Sequence, residues 1–323
     1  MFRRHTRELS VAAAIVVLLT ILAIAAPQYF SRENLADMFL ANVPVLIVAI
    51  GMTLVILAGQ IDISVGSIFA VCGVSAGVLA KSGVPIPAVL LAASLAGAAL
   101  GALNGALISY LRVPAIVVTL AAMVALRDSL RWTTQGAWIS DLPRGFQWLG
   151  FSQAYYPVLL LMIAGFLLIA SGWALRNLPG GRTIYFTGSN PEAARLAGID
   201  TRLCVFLVFV ITGALTGLAA VLNSVRFNQI PSNAGLGLEM KVIAAVVIGG
   251  AAITGGKGTV IGATLGVILL GAMGPALTFL GVNAYWEKAL QGGIILIAVG
   301  AEALHTRFRR TGIHRNAIGP TQT

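Results

Sequence analysis

Charge is scarce in this chain. Of 323 residues, 21 are Lys or Arg and 11 are Asp or Glu, 10% in all, where a soluble domain carries about a quarter. So few charges cannot solvate a globular surface of this size, and a soluble fold is excluded. Cysteine is rarer still. Cys72 and Cys204 both sit inside apolar runs, where each reads as a small buried hydrophobe with no redox role. The three histidines, His5, His305 and His314, lie near the termini and away from any paired carboxylates or cysteines. No metal site and no catalytic triad can be assembled from such a set. A nucleotide-binding loop is also missing: GGKGT at Gly255–Thr259 has Ala251 at the first glycine position of a Walker A loop, and Gly258 follows Lys257 where Ser or Thr is required.

What the chain has in abundance is apolar sequence, 58% of residues. Uncharged runs such as Pro85 to Leu111, Ala154 to Leu175 and Leu203 to Val225 are long enough to cross a bilayer as helices. The expectation is an all-α polytopic membrane bundle forming one transmembrane domain over residues 1–323. About ten helices fit, at roughly 9–26, 43–59, 63–80, 85–110, 114–131, 154–175, 203–224, 239–253, 258–280 and 287–304. The opening MFRRHTRELS and its apolar run to Ala26 resemble a signal peptide but read as an uncleaved first span. The net charge of +10 is dispersed over short connections, with no basic face and no interleaved aromatics, so no nucleic-acid partner is implied. The basic residues are topology signals. Their bias puts both termini in the cytoplasm of a bacterium, in a multi-pass inner-membrane protein.

Two outer connections exceed a simple turn, 131–155 with Trp132, Trp138 and Trp148, and 226–237. The tryptophans fit an interfacial belt. Small residues recur at packing spacing, as in Gly97, Gly101 and Gly105 or Gly213 and Gly217. Two Gly-rich breaks, AGQIDISVGS from Ala58 and IGGAAITGGKGT from Ile248, each lead into a Gly-rich span, the pattern of a divergent repeat with broken helices.

Few polar residues fall in or between the spans. Asp62 either caps the helix that follows, with Ser64 and Ser67 satisfying other backbone groups, or contacts a substrate or ion. Asn104 and Asn223 either bond between helices or face a polar passage. Glu239 and Lys241 bracket the start of a span as interfacial anchors. The stretch GSNPEAARLAGID from Gly188 is the most anomalous. Asn190 suits an N-cap, Pro191 the first helical position, Glu192 the positive end of the dipole and Gly198 the terminator. This predicts about two turns of helix outside the membrane, within a loop at 177–202.

That stretch resembles the cytoplasmic coupling segment of permease subunits in ribose-type monosaccharide ABC importers. GQIDISVGSI from Gly59 is similar to that family's GGIDLSVGS signature, and VPAIVVTLAAM from Val113 to its P-x-x-[IV]-[VA]-T-L-G-T block. GLGLEMKVIAAVVIGGAAITGGKGTVIGATLG is similar to its C-terminal signature. Gln60 replaces a common glycine, Ala121 and Ala122 replace G-T, and Lys257 replaces a frequent arginine. TQGAWISDLP and IPSNAGLGLEMK look closest to permeases for rhamnose or for the furanosyl signal autoinducer-2.

The resemblance implies a permease that is no enzyme and binds no cofactor. ATP and Mg would reside on a separate ATP-binding cassette ATPase gripping Asn190, Pro191, Glu192, Ala193, Ala194, Arg195, Leu196, Ala197 and Gly198. Glu192 and Arg195 would offer polar contacts, and Ala193, Ala194 and Leu196 a small apolar surface. It also implies a periplasmic sugar-binding protein and a second permease subunit, identical or related, with the passage for a neutral monosaccharide between the two. The alternatives are an ion-coupled secondary transporter using Asp62, a membrane enzyme, and a branched-chain amino acid ABC permease.

Overall fold

The computed structural model describes residues 6–283, 285–293 and 296. The chain is mainly helical within these residues, in the order α1 (Thr6–Ala25), α2 (Arg32–Leu57), α3 (Val65–Lys81), α4 (Ile86–Ser109), α5 (Ala115–Thr134), α6 (Tyr156–Asn177), α7 (Pro179–Ser189), α8 (Pro191–Leu196), α9 (Thr201–Ser224), α10 (Leu238–Ile248) and α11 (Val260–Phe279). Among the described residues the only β pairing is an isolated bridge between Ile139 and Ile230.

Six helices, α1, α2, α4, α6, α9 and α11, are long and apolar enough to cross a membrane. The expected set of ten is therefore only partly matched. α3, at 17 residues, is apolar but shorter. α5 is less apolar and carries Arg127, Asp128 and Arg131 in its second half. The tenth helix expected at 287–304 lies largely outside the described residues.

α2 is the central pillar, with Val43 to Leu57 almost entirely buried. It starts at Arg32, a full three turns before position 43, because Ser31 caps it by accepting from the Asn34 amide at 3.4 Å and Glu33 occupies its first turn. Against it lies α9, and α9 packs most extensively on α4. Glycines allow this approach: a Cβ on Gly97 would stand 3.0 Å from the Gly213 carbonyl carbon, and one on Gly105 3.0 Å from the Phe206 oxygen. α1 and α6 expose most of their apolar side chains at the periphery, where lipid is their natural solvent.

Two further helices depart from the sequence-based expectation. α10 ends at Ile248 where 253 was expected, because Gly249 and Gly250 turn the chain back: Gly250 has φ +96°, and Ala251 donates to Val246 O at 3.1 Å. Its eleven residues extend about 16 Å at 1.5 Å per residue, roughly half a hydrocarbon core. α7 was expected as plain loop. PGGRTIYFTGS folds as a helix from Pro179, with Gly181 seated against Leu175 and Thr187 and Gly188 buried.

The two long outer connections are joined. Ile139 and Ile230 exchange amide-to-carbonyl bonds of 2.9 and 3.0 Å, Trp148 N donates to Val225 O at 2.9 Å, and Ser232 Oγ donates to Gly136 O at 3.1 Å. The pair rests on Gly77 of α3, where a Cβ would stand 2.6 Å from Ile230 Cδ1 and 3.3 Å from the Ile139 side chain.

Candidate functional site

The capped helix read from the sequence is present. In α8 the Asn190 side chain accepts from Ala193 N at 3.0 Å, Pro191 holds the first position and Gly198 takes φ +79° beyond the end. Glu192 lies in the first turn and Arg195 in the last, both exposed. The side chains do not all point outward, however. Ala194 is buried, so the offered surface is Ala193, Glu192, Arg195 and Leu196, and Leu196 is 91% exposed. Among the described residues nothing covers this leucine.

Three loops converge beside α8. The last turn of α7 inserts Gly188 between the end of α2 and the loop joining α10 to α11. Gly256 N donates to Leu57 O at 2.9 Å, and a Cβ on Gly255 would lie 2.7 Å from Gly188 O and 2.8 Å from Gly59 Cα. Tyr185 Oη donates to Gly258 O at 2.9 Å. The two Gly-rich breaks, separate in sequence, thus meet at one point.

Just past Gly59, Asp62 is fully buried. Its Oδ1 accepts from Ser64 N at 2.9 Å and from Ser64 Oγ at 2.6 Å, while Asn104 Nδ2 donates to Ser64 Oγ at 2.8 Å. Asp62 therefore closes a turn ahead of α3. It does not cap α3, whose N-cap position belongs to Ser64. Ser67 satisfies a backbone group of another helix, donating to Met123 O of α5 at 2.8 Å. Asn223 does not join this cluster: it sits in the last turn of α9, half-buried, about 25 Å along that helix from the level of Asn104. Glu239 is no interfacial anchor either. It is buried, with Oε2 against Gly66 in the first turn of α3.

At the opposite end of the bundle, a cavity of about 700 Å³ is lined by Leu236, Met240, Lys241, Tyr285, Glu287 and Gln291. Lys241 Nζ reaches Asn42 Oδ1 at 3.3 Å, and Gln291 Nε2 donates to Glu287 Oε1 at 3.0 Å. Of this polar group the sequence reading took only Lys241, as an interfacial anchor, and missed Asn42, Glu287 and Gln291. The available signal was the charge and amide content of Asn42, Lys241 and Glu287 in otherwise apolar surroundings.

Comparison with known proteins gives the family. The family profile described as branched-chain amino acid transport system / permease component matches residues 34–299. The autoinducer 2 import system permease protein LsrC of Photorhabdus luminescens is 36% identical over 299 residues, 91% of this chain and 88% of its own. LsrC of Yersinia pseudotuberculosis is 36% identical over 295 residues, covering 91% and 84%, and LsrC of Salmonella typhi 36% over 301, covering 91% and 85%. No solved structure matches. The match takes in every helix from α2 to α11, so the chain is a multi-pass inner-membrane protein and belongs to this family of ABC-importer permease components.

Proposed function

We propose that the chain is the permease subunit of an ATP-driven importer for autoinducer-2 or a closely related neutral monosaccharide. The observation that carries this reading is identity of 36% over 91% of the chain to permeases named for autoinducer 2 import. The same observation favours a sugar-like cargo over a branched-chain amino acid. A neutral polyol needs hydrogen bonds and no ion pair, which agrees with the low charge of the spans. The ion-coupled alternative draws no support, because Asp62 is engaged in a local turn.

In this reading α8 faces the cytoplasm, where an ATP-binding cassette dimer seats on Ala193, Leu196, Glu192 and Arg195. ATP and Mg belong to that partner. Helices α3, α5 and α10, with the helical residues 286–293 after α11, complete a bundle of about ten helices whose termini share the ATPase side. A periplasmic binding protein delivers cargo to the far end, over the joined outer connections, into a passage shared with a second permease subunit. Closure of the ATPase on ATP moves the bundle between inward-facing and outward-facing states.

Affinity purification of the chain from its native membrane in mild detergent, read by mass spectrometry, tests this. Recovery of a two-domain ATPase with a sugar-binding protein is expected. Recovery of the chain alone, after crosslinking shows that complexes survive, overturns it.

A further inference from the structure

We propose that Gly188 is the positioning residue through which movement of α8 reaches both Gly-rich breaks at once, so that the stroke acts on the loops preceding α3 and α11 and not only on the spans α6 and α9 that flank the loop in sequence. The inference rests on α8 being the ATPase contact.

The geometry is specific. Only Asn190, in an extended conformation with φ −158° and ψ 94°, separates α7 from α8. A displacement of α8 is therefore delivered to the last turn of α7 with almost no intervening chain. That turn touches its neighbours backbone to backbone. A Cβ on Gly188 would overlap Leu57 O and stand 2.8 Å from Gly256 N, and a Cβ on Gly256 would stand 2.5 Å from Ser189 Cβ. The two flanking loops are already tied to each other by the bond from Gly256 N to Leu57 O, and Tyr185 ties α7 to Gly258. Side-chain contacts absorb small shifts by rotamer changes, but backbone surfaces in contact are nearly incompressible. The wedge therefore moves both loops together.

The consequence extends inward. The first loop continues through Asp62 and Ser64 into α3, and the second into α11 through Thr259, whose hydroxyl accepts from Gly262 N at 2.9 Å. α3 in turn meets α10 where Gly66 faces Glu239 and Gly235. One contact at the α8 end thus bears on the starts of three helices.

The test compares transport per ATP hydrolysed in proteoliposomes holding the full complex, with the co-purifying ATPase and binding protein, using autoinducer-2 as probe. Gly188→Ala is expected to lower that ratio at least tenfold while ATP hydrolysis and ATPase capture persist. Tyr185→Phe, which removes one hydroxyl and adds no bulk, is expected to lower it two- to fivefold. Gly172→Ala, on the open face of α6 with nothing within 4 Å of its Cβ, is expected to change nothing. An unchanged ratio in Gly188→Ala overturns the proposal. Where Gly188→Ala does not assemble, an unchanged ratio in Tyr185→Phe overturns it. A wild-type chain that recruits no ATPase defeats the importer reading, and this inference falls with it; normal coupling in both wild type and variants defeats the wedge alone.

Discussion

Asn104 of α4 donates to the hydroxyl of Ser64 at 2.8 Å, forty residues away in sequence. Ser64 passes that bond on to Asp62, so the turn between α2 and α3 is anchored to a third helix. Asp62 uses one oxygen for this. Its other oxygen, Oδ2, is buried without a partner among the described residues, which is an expensive way to hold a turn.

Replacing Asp62 separates the turn from the charge. Asp62→Asn keeps the accepting oxygen and removes an uncompensated buried charge, so thermal stability in detergent is expected to hold or rise. Asp62→Ala loses both bonds and is expected to cost about 2 kcal/mol. ATP-driven uptake should survive in the Asn variant at half the wild-type rate or better, with no response to an imposed ion gradient. Loss of uptake in a stable Asn variant would place Asp62 in the passage.

α8 offers charges of opposite sign and one bare leucine. Glu192→Lys combined with Arg195→Glu is expected to leave folding intact and to uncouple transport from ATP hydrolysis. Leu196→Asp alters no internal contact and is expected to reduce ATPase capture about tenfold with an unchanged melting temperature. A well-expressed double variant with normal transport would remove α8 from the coupling path.

The α4–α9 contact is a matter of stability. Gly213 and Gly97 each lack space for a Cβ, the atoms in the way being the other's backbone. Gly213→Ala is expected to cost about 1–3 kcal/mol by forcing the helices apart, measured as a lowered melting temperature. An unaltered melting temperature would show that the pair separates freely.

Much of this architecture was legible because lipid demands it. A span needs an apolar run, so α1, α4, α6, α9 and α11 announce themselves, and the Asn190 cap with Pro191 and Gly198 is a local signal that needs no tertiary context. α7 was hidden because its two early glycines disfavour helix, and only burial of Gly181, Thr187 and Gly188 against the bundle makes it worthwhile. α10 was overextended because the apolar run continues past Ile248, although the Gly-rich break read from Ile248 marks the place where Gly249 and Gly250 reverse the chain. Asp62 and Asn104 were singled out as costly polar residues, but that Ser64 joins them is a product of how α4 crosses the break. Asn223 carried the same signal and lies elsewhere.

Tyr156 completes the outer end of α9. The carbonyl of Leu222 would ordinarily accept from the amide four residues on, but Arg226 N donates to Asn223 O at 3.3 Å. The Tyr156 hydroxyl donates to Leu222 O in its place. Its ring is buried and meets Trp148 edge-on, with centroids 5.3 Å apart, beneath the 135–155 connection. Tyr156→Phe keeps the ring packing and leaves a buried carbonyl unsatisfied, which is expected to cost about 1–3 kcal/mol. The loss should be local to the outer end. Trypsin cleavage after the exposed Arg144 is expected to accelerate, while ATPase capture at α8 stays normal. Tyr155→Phe, on a side chain 71% exposed, serves as the control and should change neither. Equal cleavage rates in Tyr156→Phe and wild type would show that the backbone bonds from Ile139 and Trp148 suffice to hold the outer connections without the hydroxyl.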